Sequence, residues 1–376
     1  MQRLEGDILA VGAGISGSVL AERYAVQGKK VVVLEKRDHV GGNCYDYYNE
    51  HGILVSRYGA HLFHTDFEDV WDYVQKFSEW RPYEHRVVAK VGDKLVPIPV
   101  NITTVNALFN LNIQNEAEMQ DWLKENQVQF GHPPRNGEEA ALARVGVDLY
   151  ERMFRHYTKK QWDKYPEELD PSVLQRIPVR ANFDDRYFTD KYQALPVDGY
   201  TRMFEKMLDH GNIEVRLNTD FFDVQNDAVG FEKIFYTGPI DRYFRFRKDL
   251  GDKLDYRSLR FVHETLDTPD AQGHAVVNYP SPDVPFTRVV EFKHITGQEH
   301  PNTTIVREYS TADGDPYYPV PSPRNELIYQ RYKDEADKLV NVFFVGRLAN
   351  YRYFNMDQAF KNALDLFNRL EGDIAA

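Results

Sequence analysis

The chain has 376 residues, enough for two or three domains with a sizeable core. Its 46 basic and 58 acidic residues leave a formal charge of −12, and no basic run could track a phosphate backbone, which excludes nucleic acid as a partner. The single cysteine rules out an intrachain disulfide. No apolar stretch approaches the roughly eighteen residues of a membrane span, so membrane insertion is not expected.

The first strand begins within seven residues, with no basic-then-apolar leader ahead of it, and a cytoplasmic protein is expected. Ile8, Leu9, Ala10 and Val11 form an apolar run that meets Gly12, Ala13, Gly14, Ile15, Ser16 and Gly17. A second apolar strand, residues 30–35, ends in Glu35. Gly12 permits the tight turn, Gly14 lets a diphosphate approach the backbone, and Gly17 lets the new helix lie on the sheet. The helix start then offers free N–H groups and a positive dipole end to an anion. Glu35 stands where a carboxylate can accept ribose hydroxyls. Arg37 and a second glycine turn, Gly41 and Gly42 with Asn43, follow at once. That extension resembles the FAD version of the fold rather than the NAD version.

Cys44 has no base beside it in the chain and reads as a buried spacer rather than a nucleophile. Residues 57–65 carry His61 and His64. A metal pair, structural histidines and a cofactor-facing histidine are all open there, although no further ligand stands in register. In residues 68–77, Val70, Tyr73, Val74 and Phe77 share one helical face. Residues 87–98 alternate and end in Pro97, Ile98 and Pro99, which reads as a hairpin entering another domain.

From residue 103 to 162 the pattern is helical, punctuated at Asn112, Asn115 and Asn136. Asn136 and Glu139 can form a capping box, and Val145, Leu149 and Met153 then mark one face of a long helix. Residues 257–264, 275–279, 287–294 and 304–309 read as strands, and the absence of helices between them predicts an antiparallel sheet. Residues 245–253 read as a surface insertion. A last buried strand, 341–347, ends at Gly346 and Arg347. Asn355, Met356, Asp357 and Gln358 open the final helix, 359–370, whose N-terminus could lie against a flavin.

These blocks carry a specific resemblance. GAGISGSVLAERYA, GGNCYDYYNEHGI, YGAHLFHT, YTKKQW, RIPVR, NFDDRYF, LPVDGYT, TGPIDRYF, LDYRSLRF, TRVVEFKH, REYS, YYPVP and GRLANYRYFNMDQA, in this order over nearly the whole chain, resemble the bacterial UDP-galactopyranose mutases. The resemblance implies an isomerase that interconverts UDP-galactopyranose and UDP-galactofuranose for cell-surface polysaccharide, with no net redox change. Reduced FAD would be the nucleophile, its central nitrogen attacking the anomeric carbon while UDP leaves. It also implies a homodimer, and no metal.

Carried over motif by motif, Arg176 and Arg288 fall on the family's diphosphate-side arginines and His61 on the histidine beside the flavin. Alone, either arginine would sooner read as a surface salt bridge; it is the motif around each that favours function. Tyr318 and Tyr353 fall on diphosphate-binding tyrosines, Phe154, Tyr157 and Trp162 on uracil-side aromatics, Tyr187 on the substrate wall and Asn278 near the sugar. Cofactor contacts are implied for Gly12, Gly14, Ile15, Ser16, Gly17, Glu35, Arg37, Gly42, Asn43, His61, Leu62, Gly346, Arg347, Asn355, Met356 and Asp357. Two departures stand out: His85 replaces an asparagine common in relatives and could take over its substrate contact, and Asn355 stands where aspartate is frequent. A mobile loop is implied between Trp162 and Arg176.

The expected fold is α/β: an FAD-binding Rossmann-like domain (1–80, 193–240 and 335–376), an inserted helical domain (101–170), and an antiparallel sheet and substrate domain (81–100, 171–192 and 241–334). The rival readings are an FAD-dependent amine oxidase-like oxidoreductase and a nucleotide-sugar binding protein without catalysis.

Overall fold

The computed structural model describes residues 4–175 and 178–372. Its hub is a five-stranded parallel sheet, ordered Ile213–Arg216, Val31–Leu34, Ile8–Val11, Lys233–Tyr236 and Val342–Phe344. The two N-terminal strands are buried along their whole length, as a sheet covered on both faces requires. Alternation then sorts their side chains. Ile8, Ala10, Val31 and Val33 join the main core beneath helices Ile15–Val26 and Met356–Glu371, while Leu9, Val11, Val32 and Leu34 meet Phe221, Phe231 and Tyr236 on the other face.

The second sheet has seven strands: Tyr318–Pro319, Tyr256–Leu266, Thr303–Thr311, Arg288–Glu291, Val276–Asn278, Val87–Val91 and Lys94–Ile98. Every pairing is antiparallel except that of Val276–Asn278 with Val87–Val91. The expected 287–294 strand is shorter, because the chain turns into a helix, Phe292–Thr296, after Glu291.

The helical segments are punctuated by asparagines. Asn101, Asn115 and Asn136 cap Ile102–Phe109, Glu116–Asn126 and Gly137–Leu149, each accepting an N–H three residues on. The expected long helix is broken. Gly146 sits at φ 76°, ψ 178°, and a π-helical turn, Tyr150–Arg155, precedes His156–Trp162. Close packing is the cause, since a Cβ on Gly146 would lie 2.2 Å from the Asn126 carbonyl oxygen.

Three further elements differ from the sequence-based expectation. Phe63–Thr65, Tyr192–Pro196 and Trp80–Pro82 form a small antiparallel sheet that crosses the expected boundaries at 80 and 192. Helix Pro323–Ala336, expected up to residue 334 with the large sheet, packs instead on Ile240–Tyr243 and Val342–Phe344. The 245–253 segment is more than surface, because its Leu250 is buried with Leu254, Ile328 and Tyr332. Among the described residues, no helix is long and apolar enough to cross a membrane.

Candidate active site

The glycine turns build the dinucleotide end by close backbone contact. A Cβ on Gly17 would lie 1.8 Å from the Gly12 carbonyl oxygen, and one on Gly42, at φ 56°, would lie 2.9 Å from Gly14 Cα. The two turns therefore stack backbone on backbone. Helix Ile15–Val26 starts at Gly14 with no side-chain cap and no acidic residue in its first turn, which leaves the end of its dipole to an anion. Ser16 lies against Gly346, where a Cβ would come 2.8 Å from its hydroxyl oxygen.

Glu35 is buried, and its two oxygens accept the N–H groups of Ala13 and Arg37, each at 2.9 Å. It thus ties the second strand to the first glycine turn. Arg37 donates to Asn43 Oδ1 at 3.0 Å and to Asp315 Oδ2 at 3.1 Å, with its guanidinium 4.2 Å from the centre of the Tyr58 ring. Cys44 is buried, which pushes its thiol up to about 12 and makes it inert at neutral pH.

At the last helix, Asn355 completes a capping box with Gln358, and Met356 is buried behind it. Asp357 turns its carboxyl inward toward Thr65 and His64, where burial raises it above the usual carboxylate range. Leu62 packs against the main core.

The two histidines of the 57–65 stretch part company. His64 stacks on Phe188 at 3.6 Å and reaches Asp190 at 3.0 Å. His61 places Nδ1 2.9 Å from the Gly59 carbonyl oxygen, which makes Nδ1 the protonated nitrogen and leaves Nε2 as an acceptor. Burial pushes His61 down to about 4, and the nearby Arg347 and Arg288 also disfavour its charged form.

A second cluster of polar side chains grows from one rung of the large sheet. Ala89, Asn278, Arg288, Glu308 and Phe261 are register partners in that order across five strands, so their side chains share a face. Arg288 donates from Nε to Glu308 Oε2 at 2.7 Å, and the Glu308 side chain is only 2% exposed. Gly59 closes down on this rung, since a Cβ there would meet Phe261 at 2.9 Å and Glu308 Oε1 at 3.0 Å. One buried carboxylate therefore orients Arg288 and sits beneath the turn that orients His61.

Aromatic hydroxyls surround the guanidiniums. Burial costs the Arg288 charge, but the Glu308 carboxylate more than offsets this, and Arg288 stays cationic. Burial pushes Tyr157 up to about 12 and Tyr318 above its ordinary range, so both remain hydroxyl donors. Tyr318 and Tyr353 stack at 5.4 Å, with the Arg347 guanidinium 5.6 Å and 5.2 Å from their ring centres. Arg347 also donates from Nε to the Phe354 carbonyl at 3.1 Å. Two cations and several protonated phenols together favour a ligand rich in anionic acceptors.

The remaining expected residues are placed as follows. Asn278 carries a buried Oδ1 with no hydrogen-bond partner. His85 is 3% exposed, with Nδ1 3.1 Å from the Tyr83 hydroxyl, and burial pushes it down to about 3. Tyr187 is half-exposed and donates its N–H to the His85 carbonyl at 2.7 Å. Phe154 lies in the helical core, and Trp162 is buried with Leu169, Val173 and Val320 yet still lines the cavity that Tyr353 also borders. Arg176 lies outside the described residues.

Glu308 was missed on the sequence. Its only signal there is a carboxylate flanked by β-branched and aromatic residues in a strand, and pairing with Arg288 needs the register.

The UDP-galactopyranose mutase family model matches residues 152–353, and that of the NAD(P)-binding Rossmann-like domain matches residues 11–77. A probable UDP-galactopyranose mutase from Klebsiella pneumoniae is 39% identical over 98% of this chain and 96% of its own. A dTDP-fucopyranose mutase from Escherichia coli is 38% identical over 95% of this chain and 96% of its own. Among solved structures, a reduced UDP-galactopyranose mutase shares the fold at a TM-score of 0.80 and 18% identity, covering 99% of this chain and 97% of that one. With the glycine-turn unit, the arginine rung and these full-length relatives in hand, the chain belongs to the UDP-galactopyranose mutase family.

Proposed function

We propose that this protein reversibly converts UDP-galactopyranose to UDP-galactofuranose on bound, reduced FAD. The observation that carries this reading is the convergence of Arg288, Arg347, Tyr157, Tyr318 and Tyr353 beside His61, next to the dinucleotide-binding turns. Reduced FAD would supply the nucleophile that displaces UDP from the anomeric carbon, and would hold the sugar during ring opening and closure.

The chain's own residues do the rest. Gly12, Gly14, Gly17 and Gly42 bring backbone close to the cofactor diphosphate, while Glu35 and Arg37 border its ribose side. Arg288, already oriented by Glu308, meets the departing diphosphate with fixed positive charge, so no reorganisation is needed as charge develops. Tyr318 and Tyr353 donate hydroxyls to the same group. The neutral His61 offers Nε2 toward the flavin side, and Asn278 presents an unpartnered oxygen to a sugar hydroxyl. An amine oxidase needs the reverse electrostatics, because Arg288 and Arg347 would repel an ammonium substrate.

A second reading has its own support. The dTDP-fucopyranose mutase matches this chain at 38% over 367 residues and the probable UDP-galactopyranose mutase at 39% over 374, so ring interconversion is better supported than the identity of the nucleotide sugar. The test is conversion of UDP-galactofuranose and, in parallel, dTDP-fucofuranose by the purified protein, with and without dithionite, read by chromatography. Conversion of the uridine sugar only under reduction, with no reductant consumed per turnover, is expected. Preference for the thymidine sugar would replace the substrate. Turnover of neither by a reduced protein that still binds UDP would leave a binding protein.

A further inference from the structure

The helix bearing two of the expected nucleotide-side aromatics, His156–Trp162, is tied to the large sheet through the Lys160 ammonium. Lys160 Nζ donates to the carbonyl oxygens of Ser281 at 2.8 Å, Phe286 at 3.0 Å and Val284 at 3.2 Å, and also contacts that of Tyr279. All four belong to the connection between strands Val276–Asn278 and Arg288–Glu291.

That connection cannot satisfy itself. Pro280, Pro282 and Pro285 lack N–H groups, so the segment has too few donors to fold back on its own carbonyls. The Tyr279 N–H closes its base on the Thr287 carbonyl at 2.9 Å, and the Tyr279 and Phe286 rings meet edge to face at 4.8 Å. The carbonyls turned inward need a donor, and buried carbonyls without one are costly. An ammonium, compact and with three N–H groups, fits such a cage.

The two ends of this connection are site residues. Asn278 immediately precedes Tyr279, and Arg288 follows Phe286 by two residues. On the other side of the clamp, Tyr157 and Trp162 stand three residues before and two after Lys160 in one short helix. A second tie supports the same seating: the Gln161 carbonyl accepts from Ser310 Oγ at 2.6 Å and from Arg257 Nε at 3.3 Å.

We infer that Lys160 is a positioning residue: its ammonium, seated in the carbonyl cage of residues 279–286, sets Arg288 and Asn278 against the helix that carries Tyr157 and Trp162. The cage needs a cation with N–H donors, and Lys160 does not itself touch the reacting atoms. This role rests on the nucleotide-sugar reading of the same site.

The test uses the reduced flavoprotein, with native turnover as the control. In Lys160→Met and Lys160→Ala the flavin should stay bound, while kcat falls at least about tenfold as the cage carbonyls lose their partner, with a smaller change in KM. Ethylammonium, which can enter the vacated cage and donate, should restore Lys160→Ala several-fold, whereas tetramethylammonium, with the same charge and no N–H, should not. Native kcat and KM in Lys160→Met overturn the role, and so does a loss in Lys160→Ala that ethylammonium leaves untouched. If Lys160→Ala does not fold, Lys160→Met decides alone, a kcat loss at native flavin content and native Tm supporting the clamp. If the native protein turns over no nucleotide sugar, the functional reading fails by itself. UDP binding then judges the clamp, expected to weaken in Lys160→Met and overturning it if unchanged.

Discussion

At the scale of single residues, the Arg288 and Glu308 pair concentrates the chemistry. Nε of Arg288 is committed to Glu308, so the remaining guanidinium donors are held for a ligand without loss of side-chain freedom at binding. Arg288→Ala should lower kcat by about 10²–10³, the range seen when one charge-stabilising donor is removed. Flavin absorbance should be unchanged, and native turnover would remove Arg288 from the mechanism. Glu308→Gln keeps the shape but weakens the orienting bond, and a smaller loss in the same assay is expected.

Two histidines make stability depend on pH. In the unfolded chain each titrates near 6.5, but burial holds His61 down to about 4 and His85 to about 3 in the folded protein. Between those values the unfolded state binds protons that the folded state refuses. Their contribution is therefore fully present above about pH 7 and is lost as pH falls through 6.5 toward 4. Tm measured by circular dichroism from pH 8 to pH 4 should be flat and then fall. His85→Gln, whose amide does not titrate, should make the fall shallower; an equally steep fall would acquit His85.

At the scale of elements, glycine decides where helices begin and break. Gly146 breaks the helix because its left-handed φ lets the backbone touch the Asn126 carbonyl. Gly146→Ala must strain φ and push that carbonyl away, which should cost roughly 2 kcal/mol or more. A lowered urea midpoint with an unchanged slope would show it, and an unchanged midpoint would mean that the two segments separate freely. The break also lets the π-helical turn and the Tyr157 helix take a new direction toward the sheet. A continuous helix over the same residues would carry Tyr157 along the axis of Gly137–Leu149 instead.

At the scale of the whole molecule, the dinucleotide unit and the large sheet are joined by ion pairs that run from Lys36 and Arg37 to the segment before Tyr318. Asp315 pairs with Lys36 at 2.9 Å and Arg37 at 3.1 Å, and it lies three residues before Tyr318. Tyr58, under the Arg37 guanidinium, in turn faces Tyr317 at 6.3 Å. Cofactor retention and substrate affinity should consequently move together in Asp315→Asn. Because these pairs are partly exposed, the change should be modest, about two- to fivefold in each. Flavin release on dilution and KM for the nucleotide sugar check it, and a change in only one would separate the two sites.

Much of this was legible in contiguous residues. The glycine turns, the buried strands around them, the asparagine caps at 115 and 136 and the alternating strands all follow from patterns a few residues long, since turn geometry, capping and side-chain period act locally. The blocks spread along the chain extended that reading to the family, and the full-length relatives agree with it. Other features needed the fold. Arg288 and Glu308 are twenty residues apart, and only the register of two antiparallel strands makes them partners. His61 and His64, three residues apart, diverge because Gly59 and Asp190 claim them separately. The neighbours of Phe154 and Trp162 likewise come from distant segments, Leu174 among those of the first and Val320 among those of the second. Composition and local pattern determined the dinucleotide unit and the families of strands and helices. Tertiary structure alone decided which charges meet, because desolvation, register and closure between remote segments are properties of the folded chain.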